Sequence, residues 1–164
     1  MLPLRFQTAF DIATSGYQGW GYVRGGVLLT LGALAILALS LSIQSKPRRI
    51  KAYGWLMISA AIFGLVWSAL AFNDTYRPYQ SLRAALMAGQ CEVVMGTVEN
   101  FCPIHPGAVY LESFTVNGTK FEYSDFIESP GFHQTKEQGG PISAGLNVRI
   151  HHKNGVIARL ELAQ

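Results

Sequence analysis

The sequence predicts a membrane α+β protein: a two-helix transmembrane hairpin followed by a five-stranded OB-like small β-barrel. Three observations carry this reading. Two long apolar runs without a charge stand in the first half of the chain. A dense basic segment separates them. From Cys91 onward the apolar residues switch to a period of two.

The chain has 164 residues, enough for one or two domains. Charged residues make up 14%, against about 25% in an ordinary soluble protein. They are unevenly placed. Residues 1–90 hold eight Lys or Arg against two Asp or Glu, and residues 91–164 hold five against eight. The basic character belongs to the front half. The back half is mildly acidic, which excludes a nucleic-acid surface there, because phosphate neutralisation needs clustered Lys and Arg.

The first run is GGVLLTLGALAILALSLSIQS, residues 25–45, and the second is AYGWLMISAAIFGLVWSALAFN, residues 52–73. A helix rises about 1.5 Å per residue, so about 20 residues cross a hydrocarbon core of about 30 Å. Both runs are long enough, and the rest of the chain is too short to bury two helices that are apolar on every side. Trp20, Tyr22, Tyr53, Trp55, Trp67, Phe72, Tyr76 and Tyr79 flank them. Aromatic rings favour the membrane interface. Residues 1–24 are expected to form an interfacial tail. The first run begins too late and is too long for a cleaved signal peptide.

The loop between the spans, residues 46–51, holds Lys46, Arg48, Arg49 and Lys51. Short loops rich in Lys and Arg stay in the cytoplasm. Both termini are therefore expected outside, in a bacterial inner membrane. The same loop suits contact with anionic lipid headgroups. Gly32, Ala35 and Ala38 in one span and Ser59, Ala60 and Gly64 in the other let backbones approach closely. They serve the packing of the two spans or a homo-oligomer contact. Residues 74–90 form a juxtamembrane linker. Within it, residues 77–88 read as a short helix with Tyr79, Leu82, Leu86 and Met87 near one stripe and Gly89 as its stop.

Residues 91–164 form the β domain, with strands expected near 92–101, 109–116, 119–126, 146–152 and 156–162. Asn117-Gly118 is the preferred two-residue hairpin turn, because a type I′ turn needs positive φ at both positions. It sets Val116 opposite Thr119, Phe114 opposite Phe121 and Glu112 opposite Tyr123, and puts the apolar residues on one face. Glu112 then lies on the core side. Either the strand is bulged or ends there, or Glu112 meets Tyr123 in a polar contact at the mouth of the barrel. For the last hairpin a three-residue loop, Lys153-Asn154-Gly155, preserves the alternation of Leu146, Val148 and Ile150 and of Val156, Ala158, Leu160 and Leu162. It opposes Ile150 to Ala158 and Arg149 to Arg159. Gly96 inside the first strand marks a bulge or bend. An SH3-like barrel or small sandwich is the alternative to the OB-like one. Residues 127–145 are too long for a turn, and such a loop is functional or mobile.

The segments GTVENF (96–101), ESFTVNG (112–118), FEYSD (121–125), GGPI (139–142) and VRI (148–150) resemble an uncharacterised family of bacterial two-span membrane proteins. That resemblance implies fold and compartment rather than an activity. The wider layout, two spans and then a small β-barrel, is similar to that of short NfeD-like proteins. It implies an OB barrel and a membrane scaffold partner of the stomatin type.

No residue pattern points to catalysis. Ser124, Asp125 and His133 are residue types of a hydrolase, but there is no nucleophile elbow or oxyanion-hole motif. His105, His133, His151 and His152 share no ligand spacing, and neighbours on a strand point to opposite faces. GGPISAG precedes a strand, not a helix, so it is no phosphate cradle. We expect no enzyme activity, no cofactor and no metal. Cys91 and Cys102 can form a disulfide only if the chain bends back between them, since eleven extended steps cover about 35 Å. Neither span contains an ionisable residue, so neither alone offers an ion path. The expected function is to present an extracytoplasmic β-barrel to a protein or envelope partner. The candidate contact residues are Tyr123, Phe126 and Phe132 beside the long loop, with Arg149 and Arg159 on the outer face. The alternative is an accessory subunit whose spans pack against a larger membrane transporter or enzyme.

Overall fold

The computed structural model describes residues 5–42, 47–104, 111–127 and 129–163. In chain order the elements are β1 (Phe6–Asp11), α1 (Ile12–Ser15), α2 (Trp20–Ser42), α3 (Pro47–Met87), β2 (Glu92–Cys102), β3 (Glu112–Val116), β4 (Thr119–Tyr123), a 3₁₀ turn (Lys136–Gln138), β5 (Asn147–Lys153) and β6 (Val156–Ala163). They form two compact units. Residues 19–74 make a helical unit, and residues up to 18 join those from 75 onward in a β unit.

In the helical unit, Val23–Ser42 and the apolar stretch of α3 from Tyr53 are long and apolar enough to cross a membrane, with mean hydropathies of 2.1 and 2.0. The end of the first expected span, residues 43–45, and Lys46 lie outside the described residues. Arg48, Arg49 and Lys51 fall in the first turns of α3. The two helices pack antiparallel through small residues, though mostly not the expected ones. A Cβ on Gly26 would lie 2.7 Å from the Gly64 carbonyl oxygen, and a Cβ on Gly64 would lie 2.7 Å from the Gly26 carbonyl oxygen. The Thr30 hydroxyl donates to the Gly26 carbonyl at 2.9 Å, and the Ser68 hydroxyl donates to the Gly64 carbonyl at 2.9 Å. Each helix thus offers a glycine and, four residues on, a hydroxyl already satisfied within its own helix. Ala33 and Ala61 are buried in the same seam. Of the expected set only Gly64 joins it; Gly32, Ala35 and Ala38 are exposed. The reason is phase. The lane 26–30–33 follows the 3.6-residue turn, and 32–35–38 lies on another side of the same helix.

In the β unit the strand order is β1-β6-β5-β2-β3-β4, an open antiparallel sheet of six strands. The expectation of five strands missed β1. Residues 6–11 are not an interfacial tail but an edge strand paired with β6, Phe6 opposite Ala163 and Asp11 opposite Arg159. Asp11 ends the strand and caps α1, accepting from the Ala13 amide at 2.8 Å. Strand β2 joins the two halves of the sheet. Its residues 92–97 pair with β5, and Val98, Glu99 and Cys102 pair with β3. An extra residue sits between Glu99 and Cys102, where Asn100 has a φ of 48°. The irregularity expected at Gly96 is there instead. Gly96 serves close approach, since a Cβ on it would lie 3.3 Å from Val116 Cγ1.

The β3–β4 hairpin has the expected register, with Glu112 opposite Tyr123, Phe114 opposite Phe121 and Val116 opposite Thr119. Asn117 and Gly118 have φ of 47° and 80°. The strands end sooner than expected, at Tyr123 rather than 126 and starting at Glu112; residues 109 and 110 lie outside the described set. The β5–β6 hairpin corrects the sequence reading. Its loop is the two-residue Asn154-Gly155, with φ of 51° and 79°, and Lys153 faces Val156. A bulge then places one extra residue of β6 between the partners of His152 and His151, so Ile150 faces Leu160 and Arg149 faces Glu161. The extra residue is Ala158. Ile157 and Leu160 enter the main core, while Ala158 is buried on the other face against Ile12, Tyr79, Leu82 and Leu86. Strict alternation assumed one apolar face. The C-terminal part of α3 gives the sheet a second apolar layer, and the bulge lets β6 serve both.

That part of α3 continues past Pro78 to Met87 with no separate juxtamembrane helix. Tyr79, Leu82, Ala85 and Leu86 are buried, and Met87 is exposed. The helix ends at Gly89, φ 67°, where the Gln90 amide donates to the Ala85 carbonyl at 2.8 Å and the Gly89 amide to the Leu86 carbonyl at 3.2 Å. Replacing Gly64 by Leu is expected to destabilise the helix pair by about 1–3 kcal/mol, the usual cost of overpacking. Gly32→Leu, where a Cβ meets nothing within 4 Å, is expected to leave it unchanged. Trp20, Trp55 and Trp67 all lie in this unit, so their fluorescence during unfolding in graded SDS measures both.

Candidate functional site

The long segment 127–145 organises one end of the β unit, and among its described residues it is packed into the fold. Phe132, Thr135 and Ile142 are buried. The Phe132 amide donates to the Ile157 carbonyl at 2.9 Å, so the segment docks along β6 beyond the end of β1. Gly131 and Gly140 are demanded by this path. A Cβ on either would overlap the carbonyl oxygen of Ile157 or of Gln134.

Glu112 fastens the segment to the hairpin. Its carboxylate is buried, with 1% exposure. One oxygen accepts the Tyr123 hydroxyl, and the other accepts the Lys136 backbone amide at 3.1 Å. Both partners are donors, which suits an acceptor-only carboxylate. Burial, with the hydrogen bond to Glu112 and its charge, pushes the Tyr123 phenol above its ordinary range, so Tyr123 remains a donor. Both alternatives for Glu112 meet here: the strand begins at this residue and the polar contact with Tyr123 is present; the contact secures the loop.

Beside this loop lies a cavity of about 460 Å³. Ala9 and Phe10 of β1 and Gln18 form one side. Asp125, Phe132, His133, Gln134 and Gln138 form the other. Ala9 is the unpaired residue of a β1 irregularity between Thr8 and Phe10. The Gly131 carbonyl accepts from His133 Nδ1 at 3.0 Å. Gln134 Nε2 donates to the Gln138 carbonyl at 2.9 Å. Asp125 Oδ1 is shielded from water and has no hydrogen-bond partner among the described residues.

The outer face of β5 and β6 carries a separate charge network. Arg149 pairs with Glu161 at 2.7 Å and stands 4.2 Å above the Phe6 ring. Arg159 reaches the single oxygen Asp11 Oδ2 through both Nε and Nη2 at 2.8 Å, a charge-assisted contact that ties β1 to β6. The expected pairing of Arg149 with Arg159 does not occur; the bulge puts Glu161 opposite one and His151 opposite the other. Burial holds the His151 imidazole below its ordinary value; Glu161 and Asp11 pull it up, and Arg159 and Arg149 push it further down.

The candidate partner residues therefore separate. Tyr123 and Phe132 are core residues, 5.2 Å apart between ring centroids; Tyr123 offers no surface to a partner, and Phe132 only the part that borders the cavity. Phe126 and the adjoining Ile127 are exposed. Arg149 and Arg159 are engaged in ion pairs. Cys91 and Cys102 lie just before and at the end of the extended strand β2, and both are free thiols. Burial raises the Cys91 thiol above its ordinary value. His105 and Glu128 lie outside the described residues. Sequence reading missed the cavity because β1 supplies one wall and its partner strand lies about 150 positions away. The local signal was FQTAFD running into an Asp cap.

Comparison of the chain with protein-family models, with curated proteins and with solved structures returns no match.

Two outcomes follow from this geometry. Glu112→Ala strands the Tyr123 hydroxyl and the Lys136 amide, and is expected to cost about 2–4 kcal/mol. Hydrogen exchange should then quicken at the Lys136 amide before it does in β5. For His151 the folded state disfavours the proton, so as pH falls through about 6.5 the unfolded chain binds it first and stability declines. His151→Gln should flatten that part of a pH series of exchange protection in β5 and β6; an unchanged slope would remove His151 from the account.

Proposed function

We propose that the chain is a non-enzymatic integral membrane protein that presents its β unit, outside the cytoplasm of a bacterium, to a protein or envelope partner. The observation that carries this is the outward face of both long helices. Leu28, Leu31, Leu39, Trp55, Leu56, Phe63 and Leu65 are exposed, while glycines and hydroxyls fill the seam between the helices. A helix pair with an apolar exterior and a small-residue seam suits lipid as its solvent. The basic residues Lys46, Arg48, Arg49 and Lys51 favour a cytoplasmic turn between the spans.

The OB-like reading of the β unit rests on its coiling. Strand β2 is shared between both halves of the sheet, and β4 approaches β6 although four places separate them in the order. That approach supports reading the sheet as a barrel left open between β1 and β4. A binding role is supported by the exposed pair Phe126 and Ile127 directly after edge strand β4, and by the cavity beside the neighbouring loop. The accessory-subunit alternative is favoured by one observation: Gly25 and Gly32 of α2 have open space where a Cβ would stand, so a second close helix contact fits there.

Alkaline phosphatase and, separately, a fluorescent protein that matures only in the cytoplasm are fused after Gln164. Phosphatase activity without fluorescence is expected; the reverse would place the β unit inside. A photo-crosslinking residue at position 126 is expected to capture an envelope protein. Capture from positions 25 and 32 alone would favour the accessory subunit.

A further inference from the structure

The cavity beside the long loop has a one-sided chemistry. Asp125 is the charged residue on its wall, and no Lys or Arg lines it among the described residues. A carbonyl can only accept, so the contact with Gly131 places the hydrogen of the neutral His133 ring on Nδ1 and leaves Nε2 as an acceptor. Gln134 spends one Nε2 hydrogen on the Gln138 carbonyl, which leaves its Oε1 to accept and one N–H to donate. Asp125 has one oxygen shielded from water without a hydrogen-bond partner, and no ion pair reaches it among the described residues. The shielded oxygen itself is out of a ligand's reach, but a counter-charge brought into the adjoining space stabilises the carboxylate as a whole. Phe10 and Phe132 give the cavity an apolar side.

We propose that this cavity receives an organic cation: an ammonium or guanidinium group on a short aliphatic stem, its head toward Asp125 and its stem along the Phe10 side. An anion would meet the Asp125 carboxylate with no Lys or Arg to offset it among the described residues. A metal ion would need several ligating side chains together, and no group of three His, Cys, Asp or Glu forms one among the described residues. A volume of about 460 Å³ accommodates a Lys or Arg side chain with its adjoining backbone, or a free polyamine. The proposal names the chemistry of the partner contact and rests on the reading of the β unit as a binding module.

The test uses the full chain in lipid nanodiscs, with calorimetric titration of four probes. These are the Nα-acetyl methylamides of lysine, arginine and norleucine, and spermidine. Saturable binding of the lysine or arginine amide, absent for norleucine, is expected, and it identifies a polypeptide source. Saturable binding of spermidine alone identifies a free amine as the source of the same chemistry. In either case Asp125→Asn should weaken binding at least about tenfold, the loss of a charge-assisted hydrogen bond. Ala9→Trp, at an exposed edge position on the cavity wall, should abolish it by filling the space. Norleucine amide binding as well as the cations overturns the proposal, as does an unchanged affinity in Asp125→Asn or the absence of binding by any probe. If Asp125→Asn loses exchange protection throughout the β unit, Ala9→Trp decides, and wild-type affinity there overturns it. A partner captured at position 126 without any cation binding would leave the binding module standing and remove the cavity from it.

Discussion

The β unit depends on one strand being buried from two sides. Strand β6 pairs with β1 along one edge and β5 along the other, and apolar layers cover both of its faces. The main core takes Ile157 and Leu160; the stripe of α3 takes Ala158. A regular strand sends alternate residues to opposite faces, so it cannot bury Ile157 and Leu160 on one side while keeping Ala158 and Arg159 both on the other. The bulge at Ala158 resolves this by adding one residue. It also sets the charge pattern of the outer face. Once the register shifts, Arg149 meets Glu161, and Arg159 is free to clasp Asp11 and hold β1. A buried seam and a surface ion pair thus share one cause.

The second organising contact is the Glu112 carboxylate. A buried charge is costly unless donors surround it, and here a phenol and a backbone amide do so. The amide belongs to the 3₁₀ turn of the long loop. A segment whose length marked it as functional or mobile is held at Lys136 by Glu112 and at Phe132 by the Ile157 carbonyl. The cavity beside it therefore has walls set by packing and hydrogen bonds, as preorganised recognition requires.

The helical unit follows a different rule. In a soluble fold apolar residues gather at helix contacts; here the large apolar side chains are exposed, and the contact is built from Gly26, Thr30, Gly64 and Ser68. Each hydroxyl bonds back to its own helix and still fits the partner helix. The seam gains close backbone approach without leaving a polar group unsatisfied.

Local chemistry determined much of this from sequence alone. The length and charge-free composition of the apolar runs identify both long helices. Asn117-Gly118 sets the β3–β4 register, because positive φ at two adjacent positions admits few other turns. Gly89 ends α3, and Tyr79, Leu82 and Leu86 form its buried stripe. The tertiary structure alone decided everything that needed a distant partner. Residues 6–11 become a strand only because β6 offers an edge. The last hairpin takes its two-residue loop because α3 covers the outer face and makes a bulge at Ala158 favourable. Tyr123 and Phe132, legible as aromatic, are core rather than surface because the long loop folds over them. The seam between the helices is chosen by which glycines face each other, a matter of helix phase that a list of small residues does not contain.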